Sequence, residues 1–356
     1  MKFKSFQINS VLFLFLLLLP VIAACLTACG TDANPMPEPP DTLASEASLR
    51  ASDIVPDLRQ STPALPAPES IPRNPYSYLS VPTYITKVED TYFIVDCYHN
   101  QIIYHDNLTD PLSQWQVMTS EINKGHTIAS DGLVYLADDT ENNRILVFEK
   151  KDGVFCHTQT FEEIGNRPHY ILYDDNTQTF YALSSMSGEI YLFRHDPNDS
   201  RMHLTGVHQI EQLADTYVRS FTISGSDIYF VSGILGNPAI LQADLNTFEI
   251  HKTYPVPDTM AGMIQLTITE NMYYITISTD INGNQDYATI IRTDDLSNLS
   301  KGKYEDVYES FLGGGTPYYV TLIDNNYYLT EHRIPGHSIW KFKITDGLIS
   351  DVEAVY

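Results

Sequence analysis

The stretch Asn326-Tyr327-Tyr328-Leu329-Thr330 is the last of six similar segments, and their repetition decides the fold. Each copy places two aromatic or β-branched residues after a polar turn and continues into a short β run. The other five copies are Thr91-Tyr92-Phe93-Ile94-Val95, Leu133-Val134-Tyr135-Leu136-Ala137, Thr179-Phe180-Tyr181-Ala182-Leu183, Asp227-Ile228-Tyr229-Phe230-Val231 and Met272-Tyr273-Tyr274-Ile275-Thr276. The steps between equivalent positions are 42, 46, 48, 45 and 54 residues. Periods of this length that hold several short strands are typical of propeller blades.

Further strands surround this marker segment in each repeat. A first strand such as His169-Tyr170-Ile171-Leu172-Tyr173 precedes it, and a third such as Glu189-Ile190-Tyr191-Leu192-Phe193 follows it. Fourth strands are predicted at 154–161, 203–210, 304–311 and 349–356. We therefore predict an all-β protein whose residues 76–356 form a six-bladed β-propeller of four-stranded antiparallel blades.

The second repeat resembles a known family. Leu136-Ala137-Asp138-Asp139-Thr140-Glu141-Asn142-Asn143-Arg144-Ile145-Leu146-Val147-Phe148 is similar to an NHL-type propeller repeat, in which Asp, a short polar turn, Asn-Arg-Ile and an aromatic residue follow one another. Val95-Asp96-Cys97-Tyr98-His99-Asn100-Gln101-Ile102-Ile103-Tyr104 is a looser copy. The remaining blades replace the Asp by Ser184, Ser232, Ile277 and Glu331.

The resemblance implies a six-bladed propeller but does not select a function. NHL-like propellers include ligand-binding modules, sugar lactonases, an amidating lyase and a streptogramin lyase. We interpret the Asp and Asn-Arg residues as turn and blade-packing groups, because Asp and Asn close short turns through their side chains.

The N-terminal segment has the anatomy of an export signal. Lys2 and Lys4 precede an apolar run over 11–24, and Leu26-Thr27-Ala28-Cys29 resembles a bacterial lipobox. That resemblance implies cleavage before Cys29 and attachment of lipid to its sulfur, with Cys25 as a second candidate. A transmembrane helix is the alternative, but the apolar run is short for a span of ~20 residues. We predict a signal peptide over 1–28 and an extracytoplasmic protein that is lipid-anchored to a bacterial membrane.

Residues 29–75 are predicted to be a flexible linker. The segment between Thr31 and Tyr76 holds ten of the twenty prolines, and such a chain buries too little apolar surface to offset its ordering entropy. Beyond it only Cys97 and Cys156 remain as cysteines. The predicted topology places them at opposite ends of their blades, so we expect no disulfide between them.

Charge and missing motifs exclude several classes of function. The chain has 45 acidic and 21 basic residues and a net charge of −24, which argues against nucleic-acid binding and against docking on anionic lipid through a basic patch. The sequence contains no GxSxG, HExxH, P-loop or GxGxxG pattern. A serine hydrolase, a zincin or a nucleotide-dependent enzyme is therefore not expected.

The candidate site lies at the mouth of the channel, where the first strand of each blade begins. Counting back from the markers selects one polar-capable residue per blade: Tyr84, His126, His169, Arg219, Gln265 and Tyr319. This selection depends on the strand register, because a shift of one residue turns every side chain to the other face. Turns between second and third strands are expected on the same side, near His99, Asp138, Asp139, Glu141, Glu331, His332 and His337. Gly313-Gly314-Gly315 also enters there and would let a ligand approach the backbone.

Two kinds of function suit this ring. An Arg beside two His favours an anionic or hydroxyl-rich ligand, because a guanidinium matches a carboxylate; the first prediction is therefore binding of a small polar or anionic ligand, a glycan or a protein partner. The alternative is a His-dependent lyase or lactonase, in which a His acts as general base and Arg219 stabilises an oxyanion or enolate. A polar channel that holds only water is the structural interpretation.

No cofactor is predicted. His126 and His169 lie on adjacent blades and would share a metal only with a third ligand from His99, Glu331 or His332, because a catalytic zinc site needs three protein ligands. Arg219 would repel such a cation. Asp138, Asp139 and Glu141 supply oxygens of the kind that calcium takes, but we interpret them as a solvated turn.

Overall fold

The computed structural model describes residues 58–62, 70–233, 236–334 and 336–356. In these ranges, twenty-four strands form six four-stranded antiparallel sheets, each built from four consecutive strands. The predicted six-bladed propeller is confirmed. The predictions for the signal peptide, for Cys25 and Cys29 and for most of the linker fall on residues outside the described ranges.

The first three blades contain strands β1 to β12. Their bounds are β1 Pro82–Val88, β2 Thr91–Asp96, β3 Gln101–His105, β4 Gln116–Thr119, β5 Ile128–Ser130, β6 Val134–Asp139, β7 Arg144–Lys151, β8 Val154–Phe161, β9 Pro168–Asp174, β10 Thr179–Ser184, β11 Glu189–His195 and β12 Met202–Gln209.

The last three blades contain strands β13 to β24. Their bounds are β13 Ser220–Ser224, β14 Asp227–Ser232, β15 Ala239–Asp244, β16 Ile250–Pro255, β17 Met263–Ile268, β18 Tyr273–Ile277, β19 Thr289–Thr293, β20 Glu305–Asp306, β21 Thr316–Ile323, β22 Asn326–His332, β23 Ile339–Thr345 and β24 Leu348–Ala354. The six marker segments of the sequence coincide with the second strands.

One predicted strand is much shorter than expected. The fourth strand of blade five, predicted over 304–311, consists of β20 alone, and a 3₁₀ turn over Tyr308–Ser310 follows it. The side chain of Asp306 accepts a hydrogen bond from the backbone N–H of Tyr308 at 2.9 Å. This Asx-type turn ends the strand and lets Tyr308 and Phe311 pack into the apolar layer between blades five and six.

Apolar side chains fill the spaces between neighbouring blades. Strands β6 and β10 are buried along their whole length, as expected for sheets that are covered on both faces. One cluster joins blade one to blade six through Ile85, Ile94 and Tyr328. This packing closes the ring, because the first and last blades share no strand in the part of the chain that the structure describes.

Hydrogen bonds link each pair of neighbouring blades close to the channel. Thr330 Oγ1 donates to the carbonyl of Thr83 at 2.7 Å and so ties blade six to blade one. The other five links join Thr83 Oγ1 to His126 O (2.8 Å), Ile171 N to Thr127 Oγ1 (2.9 Å), His169 Nδ1 to Arg219 O (3.1 Å), Ser220 Oγ to Ile264 O (2.6 Å) and Val320 N to Gln265 Oε1 (2.6 Å).

The described parts of the predicted linker lie along outer strands. The backbone N–H of Leu58 donates to Leu204 O at 3.0 Å, and that of Thr62 donates to Thr160 O at 2.8 Å. Arg73 forms a bridge with Gln116. These contacts cover parts of the outer strands of blades three, two and one. The exposed edges of these strands could otherwise pair with strands of other chains.

Cys97 and Cys156 are both free thiols. Cys97 is buried at the end of β2, whereas Cys156 lies in the outer strand of blade two. None of the helices in the described ranges has the length and the apolar character needed to span a bilayer.

Candidate functional site

A cavity of about 280 Å³ opens at the mouth of the central channel. His126, Arg219 and Tyr318 contribute to its walls from the starts of first strands, and Glu141 and His332 contribute from the ends or turns of second strands. It therefore gathers side chains from several blades, which is the arrangement expected of a ligand site.

The six predicted ring residues lie at two depths. His126 and Arg219 line the cavity, whereas the other four lie beneath it. In this lower level the hydroxyl of Tyr319 donates to Arg219 O at 2.9 Å and lies 3.0 Å from Nδ1 of His169. The ring of Tyr84 packs 6.0 Å from that of Tyr319, and Gln265 Nε2 donates to the hydroxyl of Tyr170 at 3.5 Å.

Strand pairing explains why Tyr84 and Gln265 lie deeper than His126 and Arg219. Tyr84 pairs with Val95, and Gln265 pairs with Thr276. These two partners are equivalent positions of the second strands. At that same level blade two has Ile128 and blade four has Ser220. His126 therefore lies two residues nearer to the mouth than this level, and Arg219 lies one residue nearer, whereas Tyr84 and Gln265 lie at the level itself.

A β-bulge in β21 hid a wall residue from the sequence prediction. The register shifts between Pro317 and Val320, so that Tyr318 and Tyr319 stand opposite the single residue Thr330. Tyr319 enters the lower level, whereas Tyr318 reaches the cavity and packs 6.0 Å from the ring of His126. A bulge inserts one residue and re-aims its neighbours, and the repeat spacing carries no signal for it.

Three further cavity residues were missed although the sequence contains a signal for them. Lys124, Arg167 and Tyr217 all line the cavity. Each precedes one of the predicted residues His126, His169 and Arg219 by two positions. This constant offset of two residues is the signal by which they could have been found.

These three residues share a left-handed backbone. Their φ angles are 57° for Lys124, 63° for Arg167 and 54° for Tyr217, a conformation that side-chain-bearing residues adopt only where surrounding contacts hold it. The side-chain oxygen of Asn100 accepts from the N–H of Lys124 at 3.1 Å, and that of Asn143 accepts from the N–H of Arg167 at 2.8 Å. The Asn of the NHL-like stretch thus holds a cationic residue of the next blade in place.

The cavity is rich in cations. Lys124, Arg167 and Arg219 face a single carboxylate among the described wall residues, that of Glu141, which accepts from Arg167 Nη1 at 2.5 Å. Arg219 Nη1 donates to Ser278 Oγ at 2.5 Å. The buried Nε atoms of both arginines have no hydrogen-bond partner, so protein groups do not use the full donor capacity of either guanidinium.

The histidines that line the cavity or lie directly beneath it are uncharged at neutral pH. Burial, followed by the charges of Arg167 and Arg219, lowers the pKa of His126 to about 3. Burial also lowers the pKa of His169 well below its usual range and that of His332 to about 4. Burial raises the pKa of the Cys97 thiol to about 12, which keeps it protonated. The positive charge of the cavity therefore comes from its lysine and arginines.

The geometry does not favour a metal at the two histidines. The rings of His126 and His169 stack 3.8 Å apart at 24°, so their nitrogens do not converge on one point. Of the expected third ligands, His99 pairs with Asp96 at 2.6 Å, and Glu331 is buried against Trp340. Within the described residues, no three His, Cys, Asp or Glu side chains gather as a metal site would require.

In the acidic turn of blade two, Asp138 and Asp139 are buried rather than solvated as we expected, whereas Glu141 is exposed. The carboxylate of Asp138 accepts from the backbone N–H groups of His126 and Thr127 at 2.8 and 2.6 Å, and burial raises its pKa to about 6. Asp139 accepts from Asn123 N and from Arg144 Nε, both at 2.6 Å. These contacts are those of turn and blade-packing groups.

The equivalent aspartate of blade one has the same role. The carboxylate of Asp96 accepts from Ser80 N at 2.7 Å, sixteen residues upstream, just as Asp139 accepts from Asn123. Gly315 is one of the glycines at which we expected a ligand to approach the backbone. The carboxylate of Glu331 lies close to it instead.

Comparisons with known proteins show the fold alone. No family model matches the sequence, and no curated protein matches it. A Bacteroides uniformis protein provisionally assigned as a 6-phosphogluconolactonase is similar in structure, with 15% identity, a TM-score of 0.56 and coverage of 78% of this chain and 87% of that one. So are the periplasmic gluconolactonase of Pseudomonas aeruginosa (11% identity, TM-score 0.53, coverage 76% and 84%) and virginiamycin B lyase from Staphylococcus aureus (15%, 0.52, 80% and 88%). At such identities the shared propeller does not transfer an activity.

Proposed function

We propose that this protein binds a small anionic ligand, carrying a carboxylate or phosphate group, in the cavity at the channel mouth. The observation that carries this proposal is the gathering of Lys124, Arg167 and Arg219 around one cavity in a chain whose net charge is −24. Guanidinium groups with unused donors match the oxygens of carboxylates and phosphates.

The cationic groups are held in position before a ligand arrives. The Asn100 and Asn143 side chains hold the backbones of Lys124 and Arg167, and the guanidinium of Arg219 lies over the ring of Tyr217 at 4.9 Å. Preorganisation of this kind reduces the entropy that binding must overcome. It favours the interpretation as a ligand-binding site rather than as a channel that holds only water.

We test this proposal by isothermal titration with D-gluconate and inorganic phosphate, with D-glucose as the neutral control. At least one anion should bind while glucose does not. Arg219→Gln should weaken that binding about tenfold or more, because a charged hydrogen-bonding partner is lost. Arg201→Gln, at an exposed position beside β12, is the matched control and should bind normally. Equal affinities of the Arg219→Gln and unaltered proteins would contradict the proposal.

Ring opening of a lactone, or a lyase reaction, is the second candidate. Its support is the neutral imidazole of His126 in a cavity that also holds Arg219, together with the fold shared with a gluconolactonase and a lyase. A pKa of about 3 makes His126 a weak base at neutral pH, so binding is the function that we place first. Acid release from glucono-δ-lactone, abolished by His126→Gln, would reverse this order.

We further propose that the protein acts outside the cytoplasm, anchored to a bacterial membrane by lipid on Cys29. The supporting observation is the sequence of the N-terminal segment, in which an apolar run precedes Leu26-Thr27-Ala28-Cys29. A periplasmic protein shares the propeller fold, which is compatible with this location.

A further inference from the structure

An apolar groove adjoins the cationic cavity. Its volume is about 630 Å³, more than twice that of the cavity. Leu79, Leu112 and Tyr356 line it, and Tyr78, with 62% of its surface exposed, stands at its edge. Val81 and His332 belong to the walls of both spaces, so the groove and the cavity lie next to each other.

We propose that the ligand is amphiphilic: its anionic group binds in the cavity, and an apolar chain or ring attached to that group lies in the groove. This inference rests on the proposed function and adds a substrate class to it. Apolar surface that is removed from water in such a groove contributes to affinity roughly in proportion to its area.

The groove has a preformed wall. The N–H of Ser80 donates to the Asp96 carboxylate at 2.7 Å, and the N–H of Tyr98 donates to Ser80 O at 2.9 Å. His99 lies between Asp96, which it contacts at 2.6 Å, and the ring of Tyr76, on which it stacks at 3.5 Å. The segment that carries Tyr78 and Leu79 is therefore tied to blade one.

The distribution of charge favours an apolar group attached to an anion over a separate partner. Among the described residues that line the groove, none is Asp or Glu, and the one Lys or Arg is Arg333. Arg333 Nη1 donates to Thr316 Oγ1 at 3.2 Å, and Thr316 is itself a wall residue of the cavity. Cationic groups thus lie at the cavity end, and the rest of the groove offers apolar contacts to the same molecule.

Titration with acetate, octanoate and 1-octanol tests this inference. Octanoate should bind about thirtyfold or more tightly than acetate, because its additional methylene groups leave water, and it should also bind more tightly than 1-octanol, which lacks the anion. The double variant Tyr78→Ser/Ile334→Thr, at two positions that line the groove, should remove the advantage of octanoate and leave acetate binding unchanged. Leu322→Ser, at a position that is 61% exposed on the opposite side of the propeller, is the control and should change neither affinity.

The possible failures are distinguishable. If acetate binds in an Arg219-dependent way but octanoate binds no more tightly, the amphiphilic ligand is excluded and the anion site stands. If no carboxylate binds in an Arg219-dependent way, the proposed function itself fails for carboxylates. Equal affinities for octanoate and 1-octanol would show that the groove acts without the cavity and would overturn the inference. Circular dichroism of each variant verifies that it is folded.

Discussion

Individual asparagines connect the repeat pattern to the cavity. Asn100 and Asn143 end the turns after the second strands in a left-handed conformation, with φ of 54° and 53°. Their side chains then hold Lys124 and Arg167 in the same conformation in the next blade. A residue that the sequence identifies as a turn former therefore also determines where a cation lies.

Glu331 is a buried carboxyl group whose ionisation should lower the stability of the fold. It is buried in blade six, where its carboxylate accepts from the indole N–H of Trp340 at 2.5 Å and from the hydroxyl of Tyr308. Burial raises its pKa to about 7, above its usual value of 4.5. The folded state therefore favours the protonated form, and the stability that this form contributes is lost as the pH rises through 7.

The variant Glu331→Gln should remove this pH dependence. Between about pH 5 and about pH 8, the unfolding free energy of the unaltered protein should fall by about 1 to 3 kcal/mol relative to that of the variant. The buried histidines have the opposite pH dependence, but they are present in both proteins and cancel in the difference. Urea denaturation at several pH values measures it, with Glu309→Gln at an exposed position as the control. A difference that stays constant with pH would contradict the assigned pKa shift.

At the scale of elements, irregular positions shape the cavity more than the regular strands do. First strands carry register shifts at Pro82–Tyr84, Met263–Gln265 and Pro317–Val320, all at the mouth end. Such bulges occur often beside functional sites because they re-aim side chains.

Gly262 lies just before β17 and is hydrogen-bonded to one wall of the cavity. Its N–H donates to Thr279 O at 2.9 Å, and its carbonyl accepts from Ser278 N at 2.8 Å. A Cβ atom there would lie 2.6 Å from Thr279 O and 2.7 Å from Thr279 N, both shorter than real contacts allow. Since Ser278 and Thr279 line the cavity and Ser278 binds Arg219, any substitution must move them.

Gly262→Ala should therefore weaken anion binding severalfold and destabilise the fold by about 1 to 3 kcal/mol. Gly206→Ala is the matched control, because the nearest atom to its Cβ would lie 3.4 Å away. Thermal unfolding and titration with the anion identified above measure the two effects. Unchanged affinity in a Gly262→Ala protein would show that this wall does not contribute to the site.

At the scale of the whole molecule, blade packing and the Thr330–Thr83 hydrogen bond close the ring. Closure brings together residues that are far apart in sequence, such as His126 and Tyr318. The chain has a net charge of −24, whereas the described walls of the cavity carry three cationic side chains and one carboxylate, so the local charge of the cavity is opposite in sign to that of the whole chain.

The proposed anchor is tested on the intact chain. In a bacterial host supplied with labelled fatty acid, Cys29→Ala should lose the label and leave the membrane fraction, because acyl chains on that sulfur would be the means of attachment. Cys25→Ala is the matched control and should keep both the label and the location. Loss of label from Cys25→Ala alone would assign the attachment to the other cysteine.

The sequence predicted the elements well and the site only in part. All six second strands were found because the alternation of aromatic and β-branched residues is a local property. The length of β20 was wrong because one Asx turn at Asp306 ends it. Of the six ring residues, His126 and Arg219 line the cavity, whereas Tyr84 and Gln265 lie below it because their strands pair at a different level.

By itself the sequence determined that six similar four-stranded units follow one another and that polar residues cluster where their first strands begin. Both follow from short-range periodicity and from turn chemistry. Only the tertiary structure decided how deep each side chain lies, that Tyr318 and not Tyr319 faces the cavity, and that Lys124, Arg167 and Arg219 meet beside an apolar groove. Depth and proximity depend on pairing register, bulges and contacts between blades that are distant in the chain.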